Sequence, residues 1–169
     1  NDIGFLRRAD EVNQFGWAGY SIRKPFGAFR TLSINTNQWA NWDFGGTLLS
    51  RQVNANSNAQ FKNNWSMGIG GTHALGDVVS NTELRGGPAM RIPGTTDLNV
   101  WINSDSRKRV HGEIGTYVSW GDDQSQRLAE VWCGPTIQPS NALSISTNLN
   151  FTHNRDDLQY VTRADMAGS

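Results

Sequence analysis

Val53-Asn54-Ala55-Asn56-Ser57-Asn58-Ala59-Gln60-Phe61-Lys62-Asn63-Asn64-Trp65-Ser66-Met67-Gly68-Ile69 is the stretch that decides the fold class. Its odd positions run Val53, Ala55, Ser57, Ala59, Phe61, Asn63, Trp65, Met67, Ile69 and are largely apolar. Its even positions are Asn, Gln, Lys, Ser or Gly throughout. Side chains alternate across a strand with a period of two, so this pattern describes β-structure with one apolar and one polar side.

The same alternation recurs outward from this stretch. Leu143, Ile145, Thr147, Leu149 and Phe151 oppose Ser144, Ser146, Asn148, Asn150 and Thr152, and Val110, Ile114, Val118 and Trp120 oppose Arg109, His111, Glu113 and Ser119. Leu32 and Ile34 lie between Thr31, Ser33 and Asn35. No comparable stretch has helical spacing. Turn residues punctuate the runs at Lys24-Pro25-Phe26-Gly27, Asp43-Phe44-Gly45-Gly46, Ile92-Pro93-Gly94, Ser104-Asp105-Ser106, Gly121-Asp122-Asp123, Gln138-Pro139-Ser140-Asn141 and Asn154-Arg155-Asp156-Asp157. Strands are predicted at 11–23, 28–42, 53–72, 78–91, 97–103, 107–120, 125–135, 142–153 and 158–163, with an extended loop over 42–52.

Composition narrows the classes. Charged residues are 18% and hydrophobic ones 37%, so polarity comes from Asn, Ser, Thr, Gln and Gly. That is too polar for a thick globular core, yet seven Trp and seven Phe argue against disorder. A formal net charge of zero gives no field for nucleic acid. The lone Cys133 excludes an intrachain disulfide and a cysteine metal cluster. No segment approaches the roughly 20 apolar residues of a membrane helix. Neither end resembles a signal peptide or a natural terminus, and the expectation is one segment, 1–169, of a longer chain.

Two architectures have strands with one apolar side. A soluble sandwich buries that side, whereas a membrane barrel turns it to lipid around a polar lumen. Runs of 12 residues or more exceed the roughly 5–6 common in soluble sheets and suit tilted membrane strands of about 9–11. Trp17, Tyr20, Trp39, Trp42, Trp101, Trp120 and Tyr160 fall near run ends, as interfacial girdles require. The predicted fold is therefore all-β: an antiparallel up-and-down meander forming a transmembrane β-barrel or part of one.

Asn1-Asp2-Ile3-Gly4-Phe5-Leu6-Arg7-Arg8-Ala9-Asp10, Phe61-Lys62-Asn63-Asn64-Trp65, Leu84-Arg85-Gly86-Gly87-Pro88 and Ser104-Asp105-Ser106-Arg107-Lys108 carry a resemblance to a bacterial outer-membrane family without assigned function. In that family a family 9-type carbohydrate-binding module precedes a C-terminal barrel-like region, and the chain resembles that region over nearly its whole length. The resemblance implies a bacterial outer-membrane location, the lipid bilayer as partner, and other envelope proteins or glycans as further partners. The resemblance is to the barrel-like region and does not extend to the module.

Chemistry-bearing motifs are sparse. Gly68-Ile69-Gly70-Gly71 lies in a strand and lacks a phosphate-loop lysine. His73, His111 and His153 have no ligand spacing, and neither a metal nor a cofactor is expected. Arg85, beside Gly86-Gly87-Pro88, is a candidate to line a passage or hold an anion, against a structural reading as a strand bend. Glu113 and Glu130 sit in adjacent predicted strands, where a hydrolase would place its two carboxylates and a polar lumen would place them anyway. Trp39, Trp42 and Phe44 form the candidate aromatic platform for a sugar ring. The expected function is a non-enzymatic barrel segment serving as pore, scaffold or envelope-complex subunit, linked to glycan or nutrient uptake. The alternatives are a soluble carbohydrate-binding β-sandwich and a glycosidase-like hydrolase.

Overall fold

The computed structural model describes residues 10–76, 78–80 and 89–156. Eleven strands appear: β1 Glu11–Ile22, β2 Phe29–Asp43, β3 Leu48–Phe61, β4 Ser66–Ala74, β5 Val78–Ser80, β6 Met90–Ile92, β7 Thr95–Asn103, β8 Val110–Gly121, β9 Gln126–Ser140, β10 Leu143–Ser146 and β11 Leu149–Asp156. One 3-10 turn, Asp122–Gln124, precedes β9, and there is no α-helix among the described residues. Nine strands form one antiparallel meander in the order β1-β2-β3-β4-β7-β8-β9-β10, with β11 also paired to β9. β5 and β6 make a separate hairpin between β4 and β7. No pairing closes β1 onto β10 or β11 among the described residues, so the sheet is open.

Several boundaries depart from the sequence expectation for local reasons. The run 53–72 is two strands, because residues 62–65 form a tight turn. Asn63 Oδ1 accepts the Trp65 N–H at 3.1 Å, and Asn64 takes a left-handed φ of 66° that asparagine tolerates. Ala59 pairs with Met67 across this turn, so odd residues stay on the same face on both sides of it. The alternation therefore reads as unbroken although the chain reverses. The loop expected over 42–52 shrinks to 44–47: Asp43 Oδ1 accepts the Thr47 N–H at 2.7 Å, and Gly46 supplies a φ of 84°. The strand expected at 142–153 breaks at Thr147-Asn148. Of 78–91, the two ends pair with one another as β5 and β6, and residues 81–88 lie outside the described residues, as does 158–163.

Register assigns every paired side chain to a face. Tyr20, Ile34, Ser57, Ile69, Val100, Thr116, Val131 and Phe151 are successive partners across eight strands. Parallel to them run Ile22, Leu32, Ala59, Met67, Ile102, Ile114, Cys133 and Leu149. These rows form the apolar face, and it is uncovered: Ile69 is 50% and Phe151 72% exposed. The only buried apolar residues among those described are Ala40, Ala59 and Val78. Among the described residues these rows enclose no hydrophobic interior of the usual kind; the β5–β6 hairpin lies against β3, where Val78 is buried.

The opposite face is polar and better covered. Asn54 sits at the hub of an amide ladder: its Oδ1 accepts from Asn37 Nδ2 at 2.9 Å and Asn56 Nδ2 at 2.8 Å, while its own Nδ2 donates to Gly71 O at 2.9 Å and Thr72 Oγ1 at 3.2 Å. Asn35 Nδ2 donates to Asn56 Oδ1 at 3.0 Å. Such cross-strand amides satisfy one another side by side and fix register where apolar packing is absent.

Candidate functional site

Two rows on the polar face carry the densest chemistry. In the first, Ser33, Asn58, Gly68, Trp101, Gly115, Trp132 and Asn150 are successive partners from β2 to β11. The Trp101 indole fills the space a Cβ at Gly68 would need, 2.5 Å from that position, and the Trp132 indole lies likewise over Gly115. Glycine lets each ring settle against the backbone, the arrangement by which an aromatic shields a strand glycine. In the neighbouring row lie Asn56, Gly70, Asn99, Tyr117, Glu130 and Thr152.

Glu113 and Glu130 lie on either side of Trp132 along the strands. Glu113 Cγ leans to 3.2 Å of the Cβ position of Gly134, and Glu130 Oε1 accepts from Asn150 Nδ2 at 2.5 Å. Tyr117 pairs with Glu130 and Gly134 with Glu113, which puts the two acids four residue steps apart. Their Cα atoms are then about 14 Å apart. Of the arginines near them in sequence, Arg127 falls on the apolar face, Arg107 is engaged by Asp105, and Arg109 lies opposite Gln138, four residues from Glu113 on the same side.

Charge is sorted between the faces. At regularly paired positions of the large sheet, Glu11, Asp43, Asp97, Glu113, Glu130 and Asp156 lie on the polar face and Arg51, Arg127 and Arg155 on the apolar one. The three arginines gather at one end of the apolar face. Arg127 and Arg155 share a row there with Gln38, His73 and Trp120, beside a recess of about 590 Å³. Nearer the middle of that face, small residues Thr36, Ala55 and Gly71 leave an open hollow of about 640 Å³ rimmed by Ile34, Val53, Ile69 and Leu98.

The Ser104–Lys108 turn is a structural clamp, as its sequence suggests. Asp105, only 4% exposed, accepts from the Arg107 N–H at 3.1 Å and from its guanidinium at 2.9 and 2.8 Å. The Arg107 side chain holds the Asp105 carboxyl well below the usual carboxylate range.

The other sequence candidates separate. Trp39 pairs with Phe15 on the polar face and Trp42 with Val12 on the apolar face, and Phe44 lies in the turn beyond them. These rings share no platform. Trp17, Trp39 and Trp101, expected in an interfacial girdle, face the polar side, while Tyr20, Trp42 and Trp120 keep to the apolar one. Arg85 and Tyr160 lie outside the described residues. His73 and His153 stand on the apolar face and His111 on the polar one. No group of side chains that could hold a metal occurs among the described residues. Trp101 and Trp132 escaped selection as ligand residues, although each stands opposite a glycine. Seeing this needs the register, which sequence spacing alone does not supply.

A family described as a domain of unknown function (DUF5916) matches residues 1–168, and the chain belongs to it. No curated protein and no solved structure matches the chain.

Proposed function

We propose that this DUF5916 member is a non-enzymatic segment of a bacterial outer-membrane β-barrel, serving as a pore, scaffold or envelope-complex subunit. A link to glycan or nutrient uptake rests on the family resemblance alone. The observation that carries the reading is the exposed apolar face, which continues across the whole sheet while the polar face is knitted by amides. On β8 this band runs from Val110 to Val118, eight residue steps. That is about 27 Å along the strand, or about 21 Å of depth at a 40° tilt, close to the ~25 Å apolar band of outer-membrane barrels. The row of Gln38, His73, Trp120, Arg127 and Arg155 then serves as its boundary with water, where aromatic and long cationic side chains belong.

Detergent dependence tests the reading. The chain should give a β-sheet circular dichroism spectrum and a single species in detergent micelles or lipid vesicles, and should aggregate without them. A monodisperse folded protein in plain buffer overturns it.

A further inference from the structure

We infer that the polar face holds a recognition site for small organic cations bearing an alkylammonium group, centred on Trp132 with Trp101, Glu113, Glu130 and Tyr117 around it. The inference deepens the barrel reading, in which this face is the interior.

Three independent features converge on that chemistry. First, the indoles of Trp101 and Trp132 are seated on Gly68 and Gly115, and both remain half-buried rather than covered. Each ring stays partly open on the polar side, and a cation against indole is the strongest of the cation–π pairs. Second, Glu113 and Glu130 bracket Trp132 along the strands, so a cation above that ring lies between the two acids, each two residue steps away. Third, no Lys or Arg occupies a regularly paired polar-face position of the described sheet; Arg109, opposite Gln138 just before the start of β8, lies four residues from Glu113 and six from the Trp132 row. Asn99 and Asn150 supply neutral hydrogen-bonding groups at the rim. Structural shielding of strand glycines accounts for the seating of the rings, but not for the one-signed charge around them. A neutral saccharide would also stack on indole, yet it gains nothing from that sign. The charge complementarity selects the cation.

The test uses the full chain folded in detergent micelles, with choline and maltose as probes and tryptophan fluorescence as readout. Choline should quench saturably and maltose should not. The double variant Glu113→Gln/Glu130→Gln keeps size and hydrogen bonding, so it should fold as wild type by circular dichroism and bind choline about tenfold more weakly. Trp132→Phe should weaken choline several-fold through a smaller π-face. Equal binding of choline and maltose, undiminished choline binding by the double variant, or no saturable response overturns the inference. Choline binding by a chain that also folds without detergent would keep this site and overturn the barrel, so the two failures are distinguishable.

Discussion

An arginine moved along one face of the sheet separates a lipid-facing surface from a water-facing one. Ile69 lies in the row of Ile34, near the middle of the apolar band, and Gln38 lies four residue steps farther along β2, at its polar border. Four steps are about 14 Å along the strand and about 10 Å of depth at a 40° tilt. At the midplane an arginine on the lipid side of a barrel costs about 2–4 kcal/mol, and near the interface about 0–1 kcal/mol. Ile69→Arg should therefore lower the free energy of folding into lipid vesicles by about 2–3 kcal/mol more than Gln38→Arg. That gap corresponds to roughly 30- to 150-fold in the folding equilibrium constant. Denaturant titration of both variants and wild type in the same vesicles, followed by tryptophan fluorescence, measures it. Both positions are solvent-accessible on the isolated sheet, Ile69 at 50%, so in water both changes would fall within about 0.5 kcal/mol of wild type. Equal effects at the two sites would refute the orientation of the sheet.

Three further outcomes follow from particular contacts. Asn54→Ala removes the hub of the amide ladder and strands the Asn37 and Asn56 amides, so it should cost about 1–3 kcal/mol in the same titration. Gly115→Val forces the Trp132 ring off its seat; a loss of about 1–3 kcal/mol with a shifted emission maximum is expected, and an unchanged spectrum would contradict the seating. Asp105, held ionised by Arg107, stabilises the fold above its unfolded pKa near 4 and loses that contribution as pH falls toward its depressed folded value. Asp105→Asn should therefore lower the melting temperature at neutral pH and flatten its decline below pH 4.

Period-two alternation made the strands legible, together with their faces, because it survives wherever a turn preserves parity. The 62–65 turn does so, which is why Phe61 and Met67 share an apolar pattern while sitting on different strands. Local chemistry made the turns legible too, at Asp43-Phe44-Gly45-Gly46 and at Asp105. Partnership across strands was not legible. Trp101 reads as an aromatic near a run end, and only pairing with Gly68 and Gly115 places it on the polar side. Arg127 does not pair with Glu130, because odd and even positions on one strand point to opposite faces, and Arg107 is taken by Asp105.

The open edges bear on the same orientation. The apolar rows do not fade toward the margins: Tyr20 on β1 is 68% exposed, and Phe151 on β11 is as open. If those rows meet hydrocarbon, the outward backbone groups of β1 and β11 meet it as well. Water absorbs such groups at the edge of a soluble sheet, whereas in lipid each unsatisfied one costs several kcal/mol. A lipid-facing sheet of this kind is thus stable only when both margins find strand partners, whether each other, other strands or a second copy. Lipid exposure and edge pairing stand or fall together, since an apolar face that reaches an unpaired edge would trade hydrophobic gain for a row of orphaned amides.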